Sequence, residues 1–115
     1  MSYIHEDRNG VLVTTGAHVR MQVCIGRYGE VRQVAGTVEK VDSYHGVTLR
    51  LDPDSRAFTE YHTLVGGQPT RREYKPGDSY HGFPFKYDHA KRVHVGYYRH
   101  DDVEHGHECW IEVID

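Results

Sequence analysis

The sequence lacks any long hydrophobic run. No apolar stretch in its 115 residues approaches the roughly 18 residues that a membrane-spanning helix requires. The first residues, from Met1 to Arg8, also lack the basic and apolar regions of a signal peptide. We therefore expect a cytoplasmic protein that has no membrane partner.

Cysteine is scarce, and so are catalytic motifs. Cys24 and Cys109 are the two cysteines, and they lie too far apart in sequence to form a Cys-x-x-Cys pair. In a reducing compartment we expect buried apolar thiols, whereas a secreted protein could join them in a disulfide. The sequence has neither a Gly-x-Ser-x-Gly motif nor a phosphate-binding loop. A non-catalytic role is therefore favoured over an enzyme.

The net charge is small, at −3, but it is unevenly distributed. Residues 53–100 carry eight basic and five acidic groups, whereas residues 101–115 carry six acidic groups and no Lys or Arg. A negative total does not favour a general affinity for nucleic acid. The length, with 37% hydrophobic residues, fits one domain over residues 1–115 with a modest core.

Short segments with strand character run through the whole chain. Val47, Leu49 and Leu51 alternate with polar residues, which is typical of a half-buried strand. The predicted strands are residues 11–15, 17–25, 29–42, 47–51, 58–65, 93–98 and 109–114. Gly, Pro, Asn and Asp separate them, and helical periodicity is nearly absent. This pattern predicts an all-β fold, a small and strongly bent barrel with a C-terminal hairpin over residues 93–115.

Residues 66–92 differ from the rest of the chain because they contain no Ile, Leu, Val or Met. They contain five aromatic residues and six basic ones. A segment without aliphatic side chains is not expected to build a core layer of its own. We therefore predict a long aromatic-rich loop that lies over the barrel.

Residues 19–52 resemble the first half of small SH3-like barrels. In the KOW and Tudor group, Gly-x-Val and a following Val lead into a second run such as Val47-Thr48-Leu49. In the Sm-like group, the first motif resembles Gly36 to Asp42 followed by Gly46 to Leu49, with Gly46 where that family usually carries Asn. The resemblance implies an SH3-like barrel, a fold that carries many unrelated functions.

The aromatic-rich segment is the first candidate site. Its proposed binding-surface residues are Arg71, Arg72, Tyr74, Lys75, Tyr80, Phe83, Phe85 and Tyr87. Tyr and Arg are over-represented in contacts between proteins. The same cations and rings could neutralise phosphates and stack on bases of single-stranded nucleic acid. A third interpretation is that the rings simply cap the open end of the barrel.

The histidine-rich segment 100–109 is the second candidate site. On an extended chain, His105 and His107 point to the same side about 7 Å apart. Together with His100 they could bind a divalent metal such as zinc. The alternative is a solvated, charged hairpin tip.

These observations favour a non-catalytic β-barrel binding module. Its expected role is contact with a protein partner, or self-association through exposed edge strands. Nucleic-acid binding through residues 66–92 and metal binding through residues 100–109 are the alternatives.

Overall fold

β-Strands make up most of the chain that the structure describes. A computed structural model describes residues 4–25, 30–44, 46–63, 69–100 and 107–114. These residues form ten strands and no helix, which confirms the all-β prediction. The strands are β1 (His5–Asp7), β2 (His18–Ile25), β3 (Glu30–Asp42), β4 (Gly46–Leu51), β5 (Phe58–Thr63), β6 (Pro69–Tyr74), β7 (Ser79–Gly82), β8 (Lys86–Asp88), β9 (Val93–His100) and β10 (His107–Val113).

Eight of these strands form one sheet. The strand order is β1-β9-β10-β2-β3-β4-β7, and β8 pairs with β9 outside this order. The pairing of β1 with β9 is parallel, whereas the other pairings are antiparallel. Strands β5 and β6 form a separate antiparallel hairpin. Among the described residues no pairing joins the end strands β7 and β1, so the sheet is open rather than a closed barrel.

The aliphatic core comes from the strands that the alternating pattern predicts. In β2, Val19 and Met21 are fully buried, and in β4 Val47 and Leu49 are also fully buried. Strand β3 lies between them and carries an irregularity between Val38 and Lys40. A bulge of this kind bends a strand and increases its twist. The predicted strands over residues 17–25 and 47–51 are therefore confirmed.

Residues 69–88 contain three strands where the sequence predicted a loop. The loop prediction is wrong here because aromatic rings supply the core layer that aliphatic side chains supply elsewhere. Tyr74, Tyr80 and Phe85 are at most 6% exposed and belong to the core. A buried aromatic ring removes as much apolar surface from water as a large aliphatic side chain.

The N-terminal strand lies earlier than predicted. Strand β1 covers His5–Asp7, and residues 11–15 contribute a single bridge between Leu12 and Glu6. The carboxylate of Asp7, which is 1% exposed, explains the difference. Its Oδ1 accepts hydrogen bonds from the backbone N–H groups of Asn9 and Val11, at 2.8 and 2.9 Å. These bonds stabilise a turn where the chain would otherwise continue as a strand.

The C-terminal hairpin is confirmed. Strands β9 and β10 pair antiparallel, with His100 opposite His107 and Tyr97 opposite Trp110. The sequence predicts a polar tip over residues 99–106, but Arg99 and His100 belong to β9, and residues 101–106 lie outside the described residues. Strand β10 also pairs with β2, so the hairpin joins the N-terminal half of the sheet to the C-terminal half.

A buried ionic cluster fixes the β5–β6 hairpin to the main sheet. Glu60 of β5 is 5% exposed and accepts hydrogen bonds from Arg32 Nε of β3 at 2.8 Å and from the Tyr80 hydroxyl of β7 at 2.6 Å. The Arg32 guanidinium also lies 4.2 Å from the centre of the Phe58 ring. Burial and the bond to Glu60 raise the pKa of Tyr80, so its hydroxyl stays a donor. The sequence patterns did not indicate this cluster.

Replacement of Glu60 tests this cluster. Glu60→Ala leaves the Arg32 charge and the Tyr80 hydroxyl without their shared acceptor, so we expect a loss of about 3 kcal/mol in the free energy of unfolding. Urea denaturation measures it. Glu73→Ala is the matched control, since Glu73 lies on the same hairpin but is 55% exposed and pairs with exposed Arg71. The control should lose less than about 1 kcal/mol. Equal losses in the two variants would contradict a special role for Glu60.

Candidate binding surface

A recess opens beside strands β8 and β9. Its volume is about 450 Å³, and we call it the Tyr87 recess. It is lined by Lys86, Tyr87, Asp88, His89, Ala90, Val95 and Tyr97. The two tyrosine rings are each 36% exposed, which is high for side chains of this size in a folded domain. The recess therefore combines exposed aromatic surface with a basic residue, Lys86, and an acidic residue, Asp88.

The turn after β8 holds one rim of the recess. Asp88 Oδ1 accepts hydrogen bonds from the backbone N–H groups of Ala90 and Lys91, at 2.9 and 3.1 Å. The backbone N–H of Arg92 donates to the carbonyl oxygen of Asp88 at 2.8 Å. Arg92 adopts a φ of 59°, a left-handed conformation that closes the turn into β9. This turn places His89 and Ala90 at the rim.

Tyr97 also lines the recess, and Glu108 and Arg8 contact its side chain. Its hydroxyl donates a hydrogen bond to Glu108 Oε1 at 3.0 Å, and this bond is the main cause of a raised pKa for Tyr97. The Arg8 guanidinium lies 5.6 Å from the centre of the Tyr97 ring and 5.2 Å from that of Trp110. Contacts of this kind are favourable between a cation and an aromatic face. They fix the ring without covering it fully.

Two stacked histidines lie behind Tyr87. The rings of His5 and His94 are 4.6 Å apart with an interplanar angle of 14°, and the side chains are 6% and 9% exposed. They meet because β1 and β9 pair in parallel with these residues opposite each other. The Tyr87 ring lies 5.0 Å from that of His94. Burial lowers the pKa of His94, since a charge is poorly solvated at this position.

Acidification should destabilise the fold through this stack. Because the pKa of His94 is lower in the folded protein than its ordinary 6.5, the unfolded chain takes up its proton at a higher pH. Stability is therefore complete above the ordinary pKa and decreases as the pH falls towards the lower, folded value. Melting temperatures measured from about pH 7.5 to pH 5.5, where carboxylates stay ionised, should show this decrease.

His94→Gln should flatten the pH profile of the melting temperature. The matched control is His81→Gln, which removes an exposed imidazole from β7 and should keep the wild-type slope. The stack would have no such role if the wild-type profile were flat, or if both variants changed the slope equally.

The structure separates the eight predicted binding-surface residues. Tyr74, Tyr80 and Phe85 lie in the core and present no accessible ring face. Phe83 is 40% exposed, and Tyr87 lines the recess.

The three cations of the predicted surface lie on or beside the β5–β6 hairpin. Arg71 pairs with Glu73, and the Arg72 guanidinium lies 4.9 Å from the centre of the Tyr74 ring. Lys75 lines a smaller recess of about 180 Å³. The rings and cations proposed to bind nucleic acid are therefore divided between the core, the β5–β6 hairpin, the connection between β7 and β8, and the Tyr87 recess.

The sequence patterns did not indicate most of the residues that complete the recess. They predict Tyr97 and Val95 as members of the C-terminal hairpin and not as part of a binding surface. Their alternation placed both on one face of β9, and this was the available signal. The contribution of His89 depends on the turn after β8, which sequence patterns did not predict.

Two of the predicted metal ligands, His100 and His107, belong to β9 and β10. His107 is half-buried, and its backbone pairs with that of His100. His105 lies outside the described residues. Within the residues that the structure describes, no group of three or more His, Cys, Asp or Glu side chains could hold a metal ion.

Comparisons of the chain with protein-family models, with curated proteins and with solved structures find no match. In the described ranges, no helix has the length and apolar character needed to cross a bilayer.

Proposed function

We propose that this chain is a non-catalytic binding module that contacts a protein partner, or a second copy of itself, through the Tyr87 recess. The observation that supports it is the pair of exposed side chains, Tyr87 and Tyr97, that line a recess of about 450 Å³. Tyrosine is enriched where proteins contact each other, because its ring is large and rigid and its hydroxyl stays solvated.

The strand next to the recess offers a second contact. β8 pairs with β9 on one side and with no described strand on the other. An unpaired edge can accept an extended segment of another chain through backbone hydrogen bonds. In this arrangement the partner strand aligns with β8 and places an apolar side chain in the Tyr87 recess.

The architecture proposed with this function is an SH3-like barrel. Residues 83–85 join β7, at one end of the sheet, to β8, which pairs with β9 near the other end. A connection this short requires the two ends of the sheet to lie close together, which supports strong curvature. The bulge in β3 supports it as well.

Removal of the Tyr87 ring tests the proposed surface. Sedimentation velocity over a range of concentrations should show self-association of the wild type, and Tyr87→Ala should weaken it at least tenfold, as expected for a central contact residue. Tyr61→Ala is the matched control, since Tyr61 is 73% exposed on β5, away from the recess. It should leave the association constant unchanged.

Self-association and binding to a different protein give different results in these experiments. A wild type that is monomeric at every concentration contradicts self-association. Peptides selected by display on the wild type then test the protein-partner form of the proposal. Those peptides should lose binding to Tyr87→Ala and keep binding to Tyr61→Ala. Equal binding to both variants would place the contact elsewhere and contradict the proposal.

Metal binding is a second proposal, favoured by the position of His100 opposite His107 in the β9–β10 hairpin. Imidazole is a common zinc ligand, and a structural zinc ion needs four ligands to complete its tetrahedral shell.

Zinc should raise the melting temperature if this second proposal is correct, because an ion that binds only the folded state stabilises it. The double variant His105→Ala with His107→Ala should abolish the rise, and His81→Ala on β7 should preserve it. A wild-type melting temperature that does not respond to zinc contradicts the proposal.

A further inference from the structure

The two cysteines of the chain meet in the fold. Cys24 Sγ of β2 and Cys109 Sγ of β10 are 2.6 Å apart, although 85 positions separate the residues in sequence. Both cysteines are in the reduced state in the structure. A disulfide bond is about 2.05 Å long, so the sulfur atoms need to approach by only about half an ångström to bond.

The sulfur atoms meet at the end of the ladder between β2 and β10. Cys109 precedes Trp110 and Ile111, and all three are buried. The ladder between β2 and β10 begins at the pair of Gln22 and Trp110. Just beyond it, the Gln22 side chain donates a hydrogen bond to the carbonyl oxygen of Glu108 at 2.7 Å. The two cysteines therefore lie where regular pairing ends and β2 and β10 remain connected.

The two thiols differ in their access to solvent. Cys24 is half-buried, whereas Cys109 is fully buried. The Tyr98 hydroxyl donates to the carbonyl oxygen of Phe83 at 3.1 Å and also lies in hydrogen-bond contact with Cys109. A soluble reagent can therefore reach Cys24 first, and Cys109 is positioned to react with the product.

We propose that Cys24 and Cys109 form a reversible intramolecular disulfide when the folded protein meets a small disulfide oxidant such as glutathione disulfide. The Cys24 thiolate attacks one sulfur of the oxidant, so a mixed disulfide forms, the oxidant S–S bond breaks, and one glutathione thiolate leaves. Cys109, after its thiol proton passes to the released thiolate, attacks Cys24 Sγ. The protein disulfide forms, the mixed disulfide breaks, and the second glutathione leaves as a thiolate, which takes up from solvent the proton that Cys24 released when it ionised. Two protein thiols are oxidised, and one glutathione disulfide is reduced to two thiols.

The bond would connect distant parts of the chain. It closes a loop of 85 positions and joins β2 to the β9–β10 hairpin. Cross-linking a loop of this length restricts the unfolded chain strongly and stabilises the native state. We expect oxidation to raise the melting temperature by roughly 10–20 °C.

Mass spectrometry under native conditions tests the proposal. The wild type is first reduced with dithiothreitol, then incubated with glutathione disulfide, quenched in acid and weighed intact. It should lose the mass of two hydrogen atoms without a glutathione adduct, and reduced glutathione should reverse the change. The melting temperature of the oxidised form should rise as stated.

The single variants separate the two chemical steps. Cys109→Ala should accumulate the mixed disulfide at Cys24, because the resolving thiol is absent. Cys24→Ser should stay unmodified over the time in which the wild type is oxidised, since Cys109 is buried. The wild-type and Cys24→Ser results decide the question even if Cys109→Ala does not fold.

Three results would overturn the proposal. One is a wild-type protein that keeps a glutathione adduct on Cys24. Another is a covalent dimer as the main product. The last is a folded protein whose thiols do not react, although both are oxidised after unfolding in urea.

Discussion

The hydrogen bond from the Tyr80 hydroxyl to Glu60 is the interaction on which the C-terminal half of this fold depends. Residues 66–92 contain no large aliphatic side chain, so aromatic rings must complete the core there. A tyrosine ring brings a hydroxyl with it, and a buried hydroxyl needs a partner. Glu60 supplies the acceptor, and its own charge requires the cation of Arg32. The use of a tyrosine in the core therefore connects three strands, because Arg32 of β3, Glu60 of β5 and Tyr80 of β7 share these hydrogen bonds.

The parts of the fold that could be predicted are short segments whose own residue pattern indicates their secondary structure. Alternating aliphatic residues in 17–25 and 47–51 indicate which face is buried, because a strand repeats every two residues. Residues 69–88 gave no such signal, since Tyr74 and Tyr80 are compatible with both a core and a surface. Pairings between distant segments could not be predicted either. The pairing of β1 with β9 depends on the arrangement of the other strands, and neither segment contains a local signal for it.

The same distinction applies to the candidate site. Tyr87 was predicted because cations and rings are dense around it, and density is a local property of the sequence. The other members of that prediction were divided because they lie in or directly after β6, in β7 and in the connection between β7 and β8, which have different surroundings. Tyr80 and Phe85 face the core, while Phe83 and Tyr87 are exposed. The His5–His94 stack joins residues 89 positions apart, and no spacing rule in a single sequence reaches that far.

The two main proposals concern neighbouring residues of one strand. Glu108 accepts the hydrogen bond that holds Tyr97 at the wall of the Tyr87 recess, and the next residue, Cys109, carries one of the paired thiols. A disulfide at Cys109, as proposed, would restrain the backbone of β10 beside Glu108, the residue that accepts the hydrogen bond from Tyr97. If both proposals hold, oxidation changes the affinity of the recess by some factor. Thermodynamic linkage then requires that binding at the recess changes the thiol–disulfide equilibrium by the same factor.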